Sequence, residues 1–124
     1  MPFFSRKRKC PDLNRDGTIE LGEDCFDEYL LQNPKVILMF YSPTCRHSLA
    51  MEPVYAELRS EMGAQIPFCK VSMINAQLAK KYKVPGTPTF YFIRNGTVTS
   101  SISGEARKET LKADVIRLLA EGSR

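Results

Sequence analysis

The longest uninterrupted apolar run in the chain is Val36-Ile37-Leu38-Met39-Phe40-Tyr41, bounded by Pro34 on one side and Ser42-Pro43 on the other. A short apolar run between turn residues predicts a strand buried on both faces. Upstream, Phe26, Tyr29 and Leu30 recur at helical spacing, with acidic residues in the first turn, and predict a helix over 23–32 that Asn33-Pro34 ends. Downstream, a helical pattern runs to about Met62, with Pro53 inside it as a kink point and Gly63 as its close. Ile66 to Met73 reads as a second strand, and Asn75 to Tyr82 as a short helix with Leu78 and Ala79 inward.

The segment Lys83-Val84-Pro85-Gly86-Thr87-Pro88-Thr89 is too dense in breakers for regular structure. Thr89 to Arg94 is strand-like, Asn95-Gly96 is a hairpin turn, and Thr97 to Ser103 is the return strand. Gly104 hands over to an amphipathic helix over 105–121 with Leu111, Val115, Leu118 and Leu119 inward. Near the start, Asp16-Gly17 reads as a turn leading into a short strand with Ile19 and Leu21 on one face. This order predicts an α/β domain, a central mixed sheet of about five strands flanked by about four helices.

Length allows one such domain and not two. Residues 1–17 are expected to be a basic, disordered tail and 18–124 a single domain. The formal charge of +4 comes wholly from Arg6-Lys7-Arg8-Lys9, so the rest of the chain is close to neutral. A terminal basic run of that length reads as a solvated tail, and without a basic stripe interleaved with aromatics no nucleic-acid partner is expected. No stretch approaches the ~20 apolar residues of a membrane span, and Met1 to Phe4 is too short for a signal-peptide core. The chain as given reads as a cytoplasmic monomer, with the secretory pathway as the alternative if a leader has been removed. Cys10, Cys25, Cys45 and Cys69 are too few and too scattered for a disulfide framework, which points to a reducing compartment. Cys69 reads as a small core residue, whereas Cys10, in the tail, is the cysteine free to swing toward Cys45.

Residues 12–23, Asp-Leu-Asn-Arg-Asp-Gly-Thr-Ile-Glu-Leu-Gly-Glu, match a calcium-binding EF-hand loop at its key positions. Asp12, Asn14, Asp16 and Thr18 would supply the early ligands, Gly17 the tight turn and Glu23 the bidentate carboxylate. An EF-hand needs an entering helix, which Pro11 and the basic run disfavour, so the turn-plus-strand reading takes precedence and no bound metal or cofactor is expected.

The chemistry gathers at Ser42-Pro43-Thr44-Cys45-Arg46-His47-Ser48, where the buried strand meets a helix N-terminus. The positive end of a helix dipole, free backbone N–H groups, a following arginine and the chain's one histidine all favour thiolate over thiol at Cys45. Three residues on, where a dithiol centre would carry its second cysteine, stands Ser48.

From about residue 18 to 121 the chain resembles the thioredoxin superfamily and is most similar to protein disulfide isomerase catalytic domains. The resemblance rests on the first strand and helix, on Phe40 to Ser48, on Pro53, on Pro85 to Thr89, and on the Asn95-Gly96 hairpin with Gly104. It implies that Cys45 attacks disulfides, with Arg46, His47 and Ser48 around it. It also implies that Thr44, Gly86, Thr87 and a cis Pro88 form the groove in which a substrate strand pairs. The departures are Ser48 for the second cysteine, Thr44 for the usual tryptophan, and Met39 where the family places a buried acid. The expected activity is therefore thiol–disulfide exchange through a single thiol, forming mixed disulfides with protein thiols or glutathione. The rival expectation is a non-catalytic module that binds partner peptides in the groove beside Pro88.

Overall fold

The computed structural model describes residues 10–121, so the run Arg6–Lys9 and residues 1–9 of the expected tail lie outside the described residues. Ten elements follow one another: β1 (Asp12–Leu13), β2 (Ile19–Glu20), α1 (Phe26–Gln32), β3 (Lys35–Tyr41), α2 (Arg46–Met62), β4 (Phe68–Ser72), α3 (Ala76–Lys81), β5 (Thr89–Arg94), β6 (Thr97–Ser103) and α4 (Lys108–Ala120). The strands form one mixed sheet in the order β1-β2-β4-β3-β5-β6. β2 and β3 run parallel to β4, β5 runs antiparallel to β3, and the two edge strands pair antiparallel with their neighbours.

Helices cover both faces of this sheet, which explains the unbroken apolar run of β3. Ile37 and Met39 point into a core built with α2 and α4, through Tyr55, Leu58, Val115 and Leu118. Val36, Leu38 and Phe40 point the other way, against Phe26 and Leu30 of α1 and Leu78 of α3. β5 repeats the division, with Phe90 and Phe92 on the first face and Tyr91 and Ile93 on the second. Period-2 alternation is present in both strands, hidden because each face meets a helix layer. Tyr55 of α2 is fully buried and donates its hydroxyl to the carbonyls of Cys69, at 2.8 Å, and Ile37, at 3.2 Å, pinning the helix to two adjacent strands. Asn95 and Gly96 both take positive φ, at 51° and 79°, as a two-residue hairpin turn requires.

Three expectations need correction. The domain does not begin at residue 18, because Asp12–Leu13 pairs with Ile19–Glu20 and gives the sheet a sixth strand. Cys10 is not free to reach Cys45; it is joined to Cys25 by a disulfide, and its sulfur also accepts a hydrogen bond from the Gly22 N–H at 3.3 Å. That pairing removes the premise from which a reducing compartment was expected. The third correction is at the helix starts. α1 begins at Phe26 and α4 at Lys108, because Glu23 accepts the Gln77 N–H on α3 and Glu105 is held by His47.

A candidate thiol site at the start of α2

Cys45 sits at the C-terminal end of β3 as the N-cap of α2, partly exposed, with Thr44, Arg46 and His47 exposed around it and Ser48 fully buried. The approach to the helix is shaped by short polar contacts. The Cys45 N–H donates to the Ser42 carbonyl at 3.2 Å, and the Ser42 N–H donates to Ser48 Oγ, also at 3.2 Å. Ser48 therefore satisfies a backbone donor at the turn that presents Cys45.

The loop before β5 supplies the opposite wall. The Thr87–Pro88 peptide is cis, and the Thr87 carbonyl lies 3.6 Å from the Cys45 sulfur. Gly86 is exposed, and its carbonyl accepts the Thr89 hydroxyl at 2.7 Å, which closes the loop on itself. Hydrogen bonding from the Thr87 side chain, then from the backbone N–H of Ser48 and of His47 and from the Ser48 hydroxyl, lowers the Cys45 pKa to about 7. The Thr87 carbonyl contact opposes this, since only the neutral thiol can donate to it, yet the net direction is down. The depression was legible in the helix start, but its sources are backbone and hydroxyl donors. The imidazole of His47 meets the Glu105 carboxylate at 2.6 Å through Nδ1.

The other cysteines are differently placed. Cys69 is buried, and burial pushes its thiol up to about 12. With Cys10 and Cys25 joined, Cys45 is the one accessible free thiol among the described residues.

Met39 is fully buried beside Lys70 on β4, its partner in the strand register. Lys70 is a buried charge within the sheet. Its ammonium meets Glu52 of α2 at 3.2 Å and lies 4.4 Å from the centre of the Tyr41 ring, while the Tyr41 hydroxyl donates to Glu20 at 2.6 Å. Sequence reading passed over Lys70, Glu52 and Glu105. A lone lysine inside the apolar stretch Phe68-Cys69-Lys70-Val71 was the available signal for the first; Glu105 had none.

The EF-hand-like residues are not brought together. Asp16 Oδ1 accepts from the Thr18 N–H and hydroxyl, the Asn14 amide donates to Thr18 and Glu20, and Glu23 faces α3. Among the described residues no three carboxylate, histidine or cysteine side chains gather as a metal-holding group. These side chains serve a β-turn instead, with Gly17 at φ +89° over the Arg59 guanidinium.

This architecture, a mixed sheet between two helix layers with a cysteine capping α2 opposite a cis-proline loop, has a match among known families. The family model described as thioredoxin covers residues 17–117, and the chain belongs to that family. It is 31% identical over 90 residues to "Probable protein disulfide-isomerase A4" of Caenorhabditis elegans, a match covering 72% of this chain and 14% of that protein. It is 34% identical over 95 residues to "Protein disulfide-isomerase 1" of the same organism, covering 73% and 20%. Against "Protein disulfide-isomerase" of Gallus gallus it is 34% identical over 90 residues, covering 69% and 18%. The chain thus spans a fifth or less of the length of these relatives.

Proposed function

We propose that this protein carries out thiol–disulfide exchange through Cys45 alone, forming mixed disulfides with protein thiols or glutathione. The observation that carries this reading is the state of the cysteines: one accessible thiol with a pKa of about 7, and no second thiol free to meet it. Thiolate attack on a disulfide forms a bond from Cys45 to one sulfur and expels the other as a thiolate. In a dithiol centre the second cysteine then breaks the mixed disulfide. Ser48 has too high a pKa to do so and is occupied by the Ser42 N–H. Release must come from an external thiol or from a second cysteine of the bound substrate, which makes the site suited to capture or isomerisation rather than net reduction.

Met39 supports the same reading. The resemblance places a buried acid at this position to serve the second cysteine, and here a thioether faces Lys70, whose charge is met by Glu52 instead. The rival role, peptide binding without chemistry, draws on the same loop of Thr87 and Pro88, and Cys45→Ala separates the two by abolishing covalent capture while leaving groove binding intact. The Cys10–Cys25 disulfide favours an oxidising compartment over the cytoplasm. Among the described residues no helix is long and apolar enough to cross a membrane.

Incubation with oxidised glutathione near neutral pH, followed by peptide mass mapping, tests the proposal. A glutathione adduct on Cys45 is expected. No adduct on any cysteine would overturn it.

A further inference from the structure

We propose that Glu105 is a positioning residue that holds the His47 imidazole off the Cys45 sulfur, so that the reactivity of this thiol is set by what Glu105 restrains. The inference rests on Cys45 being the reacting thiol, and it assigns a role to a side chain 58 positions from the histidine it meets.

The geometry is a closed circuit around the site. The Cys45 sulfur faces the Thr87 carbonyl at 3.6 Å. Thr87 leads into Pro88, whose carbonyl accepts the Gly104 N–H at 2.8 Å. Gly104 takes φ +88°, and the next residue, Glu105, reaches back to His47 at 2.6 Å. His47 is two residues from Cys45 on the first turn of α2. The backbone bond that ties the Thr87 loop to the end of β6 is therefore also what delivers a carboxylate to the rim of the thiol.

The chemistry of the contact fixes the ring. A carboxylate can only accept, so Nδ1 must carry the proton and donate it. An imidazole committed in this way is not available to the sulfur. Consistent with that, the groups acting on Cys45 are Thr87, Ser48 and the His47 backbone N–H, and the imidazole is not among them. Arg46, the other cation of the segment, is exposed and forms no ion pair with the described residues. Freeing the imidazole would let its N–H donate to the thiolate, an interaction the native pairing withholds.

A simpler possibility is that Glu105 acts by its charge alone. Two substitutions separate these readings. Glu105→Ala removes both charge and acceptor, whereas Glu105→Gln removes the charge and keeps a carbonyl that can accept the Nδ1 proton. Both side chains of the pair are about half exposed, so neither change threatens the fold.

The experiment is the pH–rate profile of Cys45 alkylation by iodoacetamide, with the modified residue identified by peptide mass. It compares the native chain, E105A, E105Q, and E105A in a His47→Ala background. Positioning predicts that E105A lowers the profile midpoint by about half a unit, the size of effect one added hydrogen-bond donor has on a thiolate at a solvated site. It predicts that E105Q restores most of the native profile, and that E105A has no effect once His47 is Ala. Equal shifts in E105A and E105Q, or a shift that persists without His47, would overturn the positioning role in favour of charge; so would an unmoved profile in E105A. A native profile that titrates at the free-thiol value near ~8.5 would overturn the exchange reading itself, and this inference with it.

Discussion

The Cys45 sulfur and the Thr87 carbonyl oxygen lie 3.6 Å apart, although 42 residues separate them in the chain. In the proposed exchange, a partner disulfide reaching Cys45 would lie against the Thr87–Pro88 loop, and an extended substrate backbone would pair there.

Reactivity follows from this setting through the sign of the pKa shift. A thiol lowered to about 7 is mostly thiolate above that pH and mostly inert below it. At pH 7 about half of Cys45 is ionised, against a few per cent for an unperturbed thiol near ~8.5. Alkylation of Cys45 should rise with a midpoint near 7, read by reaction rate from pH 5 to 9. A midpoint above pH 8 would contradict the geometry.

Ser48→Cys should supply the missing resolving thiol. Position 48 lies on the first turn of α2, one turn beyond Cys45, within the reach a disulfide needs. An internal disulfide should form, and the steady-state level of mixed disulfide with a small substrate should fall by about tenfold or more. Non-reducing mass analysis after acid quench measures both. Persistence of the adduct at native levels would show that the turn cannot bring the two sulfurs together.

The disulfide between Cys10 and Cys25 closes a loop of 15 residues and anchors a two-residue strand that could not hold itself. Its removal in C10S/C25S should cost about 3 kcal/mol, the chain-entropy value for a loop of this length. Urea denaturation gives the stability, and limited proteolysis should show new cleavage within 10–17. Unchanged stability and unchanged cleavage would mean that β1 is held by other contacts.

Tyr55→Phe keeps the ring between β3 and the helix layer but removes the hydroxyl from two carbonyls in a fully buried place. The expected loss is about 1–2 kcal/mol, measured by chemical denaturation, with alkylation of Cys45 unaffected.

Much of this fold could be read in the chain because β3 and β5 are buried on both faces and show as apolar runs, and because Asn95-Gly96 and the segment around Cys45 are local signals. The misses share a cause. β1 is two exposed residues, Asp12 and Leu13, with no period to detect. The Cys10–Cys25 bond depends on a turn at Gly22 that folds the segment back, which cysteine spacing does not encode. Glu105 and Glu52 look like ordinary surface acids, and only the packing of the 104–107 segment and α2 against the sheet brings them to His47 and Lys70. The placement of Cys45 at the start of α2 was legible, and the contacts of Glu105 and Glu52 were not.

The central claim is that Cys45 works without an internal resolving thiol. Its most direct test is a single-turnover reaction with a peptide whose one cysteine is blocked as a thiopyridyl disulfide, so that the leaving group cannot attack back, quenched with acid over time and resolved by mass. A covalent Cys45–peptide adduct is expected to accumulate to about one per chain and to persist until an external thiol is added. Release of the peptide with formation of a new disulfide inside the protein would contradict it.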